Sequence, residues 1–440
     1  MKNILFIFSD QQRQDTMGCY GQNLNVTPNL DKLAEEGTLF ENSFTAQPVC
    51  GPARACLQTG KYPTKIGAFK NGISLPIKEK TMAKYLNDIG YETAYVGKWH
   101  LASDDGIEEY HTTAIPPSKR GGYKDYWMAS DILEFTSHGY DGFVFNKDME
   151  KVDFKGYRVD AMTDYAISYL NNRNTTDPFF LFISYIEPHH QNDRKQYEGP
   201  EGSKEKFKNF NLPKDIEALG GGDAEKEYAD YLGCCNSLDH NVGRLIETLK
   251  ANGEFENTII IYTSDHGCHF KTRNRDLIKP GADDYKRSCH DGVIKTPLII
   301  YGDNFKYGRV KNFVSLIDLP PTILKIAGIN PSSEMQGTPI QDKLVNQDKN
   351  IAFIQISESI VGRAIRTDKF KYCVFDPSKN PWKDSYSDNY TPLYLYDLEK
   401  DPLETTNLIN DSEYTNILKI LNKEIIKQIF KYENKVCNII

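Results

Sequence analysis

At 440 residues the chain is long for a single hydrophobic core, so one large domain with a smaller companion is expected. Apolar residues make up 39% of it and aromatics 12%, enough for a globular fold, and the longest apolar runs (4–8 and 258–263) are strand-sized and too short to span a bilayer. A net charge of −8 argues against nucleic acid or an acidic membrane as partner, yet allows an anionic ligand where Arg, Lys and a metal reverse the field inside one pocket.

Residues 3–8 are almost continuously apolar, as in a strand buried on both faces. The run after Lys2 is shorter than a secretory apolar segment and lacks a small-residue cleavage site, so a cytoplasmic location is expected. Nine cysteines without a C-x2-C spacing fit reduced, mostly buried thiols. Thr27-Pro28 opens a helix with Leu30, Leu33 and Ala34 on one face and Gly37 at its end. Pro52 predicts a second helix to about Thr59, stopped by Gly60, with Cys50 at its N-terminus. A helix over 81–87 turns Met82, Tyr85, Leu86 and Ile89 inward, ends at Gly90, and leads to a strand over 93–96.

The same grammar predicts a helix over 160–170, a strand over 178–186 and a long helix over 225–249 with Gly233 as a candidate break. Strands over 258–263 and 297–301 and a helix over 319–327 follow. This alternation implies an α/β fold, a large, mostly parallel mixed sheet sandwiched by helices. From about Pro331 the texture changes: short strands over 351–356, 364–367, 371–375 and 393–397 and a closing helix over 418–430 predict a smaller α+β subdomain with an antiparallel sheet. The expected division is 1–345 and 346–440. Segments 102–122 and 191–222 read as long loops, which commonly carry function.

Polar residues come directly after four predicted strands: Asp10-Gln11, Lys98 with His100, His189-His190, and Asp265-His266. In an open α/β sheet the ligand crevice lies at the carboxyl ends of the strands, so four such clusters predict one shared site. Asp10, Gln11 and Asp265 offer hard oxygen ligands suited to Ca²⁺ or Mg²⁺, whereas imidazole from His266 suits softer metals. Cys50 at a helix N-terminus faces a position that favours an anion, and Arg54 lies one turn on. Taken singly, each has a plainer reading. Asp10 could be a helix cap, Asp265 a turn residue, Cys50 a small buried thiol, Lys98 a solvated strand end and the His pair a satisfied polar pair. Lys286 and Lys295, flanking Cys289-His290-Asp291, are ambiguous in the same way.

The stretch Cys50-Gly51-Pro52-Ala53-Arg54 through Thr59-Gly60 reads C-x-P-x-R-x4-T-G and resembles the maturation signature of type I sulfatases, within the alkaline-phosphatase superfamily. Gly97-Lys98-Trp99-His100, Pro188-His189 and Ser264-Asp265-His266-Gly267 look like further blocks of that family, and the segment from Leu395 to Pro402 looks like its C-terminal subdomain. The resemblance implies hydrolysis of a sulfate ester, a carbohydrate sulfate before other sulfated small molecules, to an alcohol and inorganic sulfate. It implies that a formylglycine-generating maturation enzyme oxidises Cys50 to Cα-formylglycine, whose hydrated aldehyde attacks sulfur. It further implies one Ca²⁺, in preference to Mg²⁺, held by Asp10, Gln11, Asp265, His266 and the modified Cys50. Arg54 and Lys98 would orient the diol, His100 would take a proton from it, His189 would protonate the leaving alcohol and Lys286 would grip sulfate. His290 and Lys295 are expected substrate contacts. Gln11 stands where many relatives carry Asp, and Ile294-Lys295-Thr296-Pro297 where an Arg-Val-Pro-like sequence is usual. The alternatives are a phosphonate monoester or phosphodiester hydrolase using the same modified residue, and an unmodified, catalytically silent binding protein.

Overall fold

The computed structural model describes residues 1–274, 285–345 and 350–440. In chain order the strands of the larger part are β1 (Asn3–Ser9), β2 (Thr38–Phe40), β3 (Ser43–Phe44), β4 (Glu92–Lys98), β5 (Tyr126–Ser130), β6 (Asp141–Asn146), β7 (Lys151–Lys155), β8 (Phe179–Ser184), β9 (Thr258–Ser264), β10 (Leu298–Tyr301), β11 (Gly308–Val310) and β12 (Val314–Ser315). Ten of them form one mixed sheet in the order β11-β2-β10-β9-β1-β8-β4-β5-β6-β7, with β3 and β12 paired apart. The five central strands from β9 to β5 run parallel, and β10, β6 and β7 join antiparallel.

The apolar run of β1 has the reason expected for it. Ile4, Phe6 and Phe8 enter one core layer with Tyr95, Phe182 and Leu57, while Leu5 and Ile7 enter the other with Leu238 and Val242. The helix Cys50–Thr59 covers the first face and the 28-residue helix Ala224–Ala251 the second. That long helix is unbroken at Gly233. A Cβ there would lie 2.1 Å from Ser203 Oγ, so the glycine serves close approach of the short helix Ser203–Lys206 rather than a bend. Thr81, expected within the helix, instead caps Met82–Asn87 by accepting from Lys84 N–H at 3.2 Å. Thr27 does not cap Pro28–Glu36; its hydroxyl accepts from Gly18 N–H and donates to Asp31. Asp239, on the long helix, serves that end instead by accepting from the Asn29 and Leu30 N–H groups.

The smaller part holds β13 (Ile351–Ile356), β14 (Val361–Thr367), β15 (Phe370–Asp376), β16 (Asn389–Asp397) and β17 (Asn438–Ile439) in sequential order, the first four antiparallel and β17 parallel to β16. The helix Thr415–Glu433 packs on this sheet through Leu421, Ile425 and Ile429. The expected boundary falls at residues 346–349, outside the described residues. Among the described residues no helix is long and apolar enough to cross a membrane.

Candidate active site

Registered pairing brings the carboxyl ends of four central strands level. Phe8 and Gly97 both pair with Ser184, and Ser9 pairs with Ser264, so the residues just beyond emerge side by side. Asp10, Gln11, Lys98, His100, His189, Asp265 and His266 gather there, and the helix Cys50–Thr59 points its N-terminus at them. Gln11 and His100 adopt the left-handed backbone conformation with φ of 68° and 58°. Each departure costs about 1–2 kcal/mol, a strain typical of residues held for function.

Cys50 Sγ is the hub. It lies 3.3 Å from Asp10 Oδ1, 3.3 Å from His266 Nε2 and 3.0 Å from Lys286 Nζ. Lys286 also donates to His189 Nε2 at 2.9 Å. Asp10 is braced from its other oxygen: Oδ2 accepts from Arg54 Nη2 at 2.9 Å and from Lys98 Nζ at 2.8 Å. Arg54 Nη1 spans to the Lys98 carbonyl and Ser184 Oγ. Arg54 and Lys98 therefore grip the carboxylate beside residue 50, a contact that spacing alone did not indicate. Lys98 is only 1% exposed, so the reading of a solvated strand end does not hold.

Burial opposes charge throughout this cluster, and the partners decide the outcome. It would raise the Cys50 thiol, but Lys286, Lys98 and His266 hold it well below the usual thiol range. Burial and Cys50 push Asp10 up, yet Lys98, His189 and Arg54 outweigh them and keep it below the usual carboxylate range. Asp265 goes the other way, raised by burial and by Asp10. Burial lowers His100, which keeps its imidazole neutral near pH 7.

The residues present suit a cation. Ligand atoms of Asp10, Cys50, Asp265 and His266 all lie within 4.8 Å of one another, and Asp265 Oδ2 and Gln11 Oε1 are buried without a hydrogen-bond partner. Asp265 Oδ2 has Arg54 Nη2 at 3.6 Å, beyond hydrogen-bond reach, and buried oxygens left without a hydrogen bond cost free energy that a cation would offset. Asp265 Oδ1 is meanwhile fixed by the Gln11 and His266 N–H groups, and Gln11 Nε2 by Tyr197. His266 Nδ1 lies 2.9 Å from the Gly267 carbonyl, and donation there leaves Nε2 able to bind metal.

A cavity of 210 Å³ opens over Cys50, walled by Lys98, His100, His189 and Lys286. Ser103, Asp105, His111 and Asn192 line it from the two long loops expected to carry function, while Asn71, Asp131, Glu134 and Arg287 were not foreseen. Asp131 accepts from the Leu101, Ala102 and Ser103 N–H groups and so fixes the loop after His100. Asn71 accepts from Gly51 N–H, while Glu358 of the smaller part holds both Asn71 and Arg287. Two expected contacts lie elsewhere. His290 is bonded to Ser288 and Tyr396, and Lys295 pairs with Asp291 at 3.6 Å beside a separate 680 Å³ cavity lined by Arg13 and Asp215. Neither lines the Cys50 cavity.

Comparison with known proteins bears on this geometry. The family profile described as Sulfatase matches residues 2–329, and one described as N-sulphoglucosamine sulphohydrolase, C-terminal, matches 283–431. The uncharacterised sulfatase YidJ of Escherichia coli is 30% identical over 98% of this chain and 87% of its own. An N-acetylglucosamine-6-O-sulfatase of Bacteroides thetaiotaomicron is 27% identical, covering 95% and 84%. Among solved structures, BT4656 in complex with its substrate D-glucosamine-2-N,6-O-disulfate superposes with a TM-score of 0.76 at 24% identity, covering 99% and 98% of the two chains. A phosphonate monoester hydrolase of Agrobacterium radiobacter shares the fold at 0.68 and 21%, covering 98% and 96%.

Proposed function

Since the chain belongs to the sulfatase family, and is thus a metal-dependent sulfuric ester hydrolase, we propose that it removes sulfate from a carbohydrate sulfate at the Cys50 cavity, using a Cys50-derived formylglycine and one Ca²⁺. The observation that carries this reading is the convergence of Asp10 Oδ1, His266 Nε2 and Lys286 Nζ on Cys50 Sγ. The carbohydrate assignment draws on the named activities of relatives, the N-acetylglucosamine-6-O-sulfatase of Bacteroides thetaiotaomicron and an ulvan-active sulfatase of Formosa agariphila.

The modified residue, produced by a maturation enzyme, would supply as its hydrated aldehyde a nucleophilic oxygen and a second, ionisable hydroxyl. Asp10, Gln11, Asp265, His266 and residue 50 would hold the Ca²⁺, whose contribution is positive charge against the sulfate oxygens. Arg54 and Lys98 keep Asp10 ionised and aimed by occupying Oδ2, which leaves Oδ1 turned toward residue 50. Lys286 places a donor where charge accumulates on sulfate. His100, neutral through burial, would take the proton from the second hydroxyl, and His189, in the wall of the same cavity, would give one to the leaving alcohol.

The test is a panel of sulfated mono- and disaccharides beside an aryl sulfate and a phosphodiester, assayed on protein whose residue 50 has been verified by peptide mass. A carbohydrate sulfate should give the highest kcat/KM. A phosphodiester at the top would transfer the assignment to the phosphonate and phosphodiester hydrolases of the same fold.

A further inference from the structure

One carboxylate of the cavity has no part in the chemistry assigned to its neighbours. Glu134 sits in the 3-10 turn Leu133–Phe135 just after β5, with only 7% of its side chain exposed. Its Oε1 accepts from the Asn192 N–H at 2.8 Å and its carbonyl from Gln191 Nε2 at 3.4 Å, which ties it to the segment carrying His189. Its Oε2 lies 3.8 Å from His189 Nδ1, a buried nitrogen with no hydrogen-bond partner.

The hydrogens of His189 are set by its neighbours. An ammonium can only donate, so His189 Nε2, 2.9 Å from Lys286 Nζ, accepts. A neutral imidazole with an accepting Nε2 carries its hydrogen on Nδ1, the atom that faces Glu134. When sulfate oxygens take over Lys286, Nε2 is released to bind a proton from solvent. The resulting imidazolium can donate to a leaving oxygen, but a cation buried beside Lys286 needs a compensating anion. Glu134 is that anion, on the ring edge away from Lys286.

We propose that Glu134 is the positioning residue of the leaving-group acid: it holds the Nδ1–H tautomer of His189 and stabilises the imidazolium that protonates the departing alcohol. As the S–O bond breaks, its electron pair stays on the leaving oxygen and the Nε2 proton passes to that oxygen. His189 returns to its neutral form with the Nδ1 hydrogen still directed at Glu134. This rests on the reading of His189 as the acid.

Glu134→Gln separates charge from scaffold, because the amide oxygen still accepts from Asn192 N–H while the charge is gone. Turnover of the verified modified enzyme, Glu134→Gln, Glu134→Asp and His189→Ala should be compared on a sugar sulfate and on 4-nitrophenyl sulfate. The nitrophenolate leaves with little need of a proton. General acids typically contribute 10²–10⁴-fold, so His189→Ala should slow the sugar sulfate by about that factor and the aryl sulfate far less. Glu134→Gln should show the same selectivity in reduced form, about tenfold against less than about threefold, with KM within about twofold. Glu134→Asp, which keeps the charge, should recover much of the loss on the sugar sulfate. If His189→Ala is selective and Glu134→Gln slows both substrates equally or neither, or if Glu134→Asp matches Glu134→Gln, the proposal fails and Glu134 merely anchors the 189–192 segment. If His189→Ala shows no selectivity, the assignment of His189 as the acid falls, and this inference with it.

Discussion

Replacing Lys286 by Met removes a buried charge with a side chain of similar length and no donor. In the structure Lys286 Nζ stands 3.0 Å from Cys50 Sγ and 2.9 Å from His189 Nε2, so its charge lies where the sulfate must sit. A unit charge about 4 Å from another is worth about 4 kcal/mol at the effective dielectric near a protein surface. Deleting one preorganised donor to a developing anion costs about 2.7–4 kcal/mol, or about 10²–10³ in kcat. The two figures agree, and Lys286→Met should lower kcat/KM by about 10²–10³. Lys286 lies outside the maturation signature at Cys50 to Gly60, so formylglycine content should match the parent and can be checked by peptide mass. Folding should be little affected, because Asp10 keeps both Arg54 and Lys98. The assay is steady-state kinetics on an aryl sulfate with matched, verified modification. A loss below about fivefold would show that Lys286 does not contact the transferring group, and the arrangement proposed around residue 50 would be wrong.

The same geometry sets other outcomes. Chelation of divalent ions should abolish most turnover, with Ca²⁺ restoring it; full activity in excess chelator would contradict the cation assigned to Asp10, Gln11, Asp265 and His266. Lys295→Ala should leave kcat/KM within about twofold, since Lys295 faces Asp291 and the other cavity; a large loss would place it on the substrate. Gly233→Ala should destabilise the protein by about 1–3 kcal/mol in spite of its better helix propensity, because the new methyl meets Ser203 Oγ, and an unchanged or higher melting temperature would show that the segment around 203 yields freely.

The four strand ends were legible because strands buried on both faces are read as apolar runs, and residues just past such a run at the carboxyl edge face the crevice. β1, β4, β8 and β9 obey that rule, and so Asp10, Lys98, His189 and Asp265 could be grouped before any contact was known. β5 obeys it as well, with Asp131 and Glu134 just beyond it. It was missed because a five-residue strand among aromatics and polar residues, leading to β6 and the edge strand β7, has no clear apolar period. The lysines show a different limit. Lys98, Lys286 and Lys295 are alike in sequence, and only tertiary placement separates the two near Cys50 from the one paired with Asp291. Gly233 carries the same lesson for backbone: a glycine inside a helix reads as a break, while here it makes room for a neighbouring turn.

All of the proposed chemistry passes through residue 50. Peptide mass spectrometry across residues 50–60, on protein produced with a maturation enzyme and assayed in parallel for sulfate release, tests it most directly. Turnover should rise in proportion to the fraction of Cys50 converted to formylglycine and vanish in Cys50→Ala. Full turnover from protein whose Cys50 remains a thiol would contradict the account.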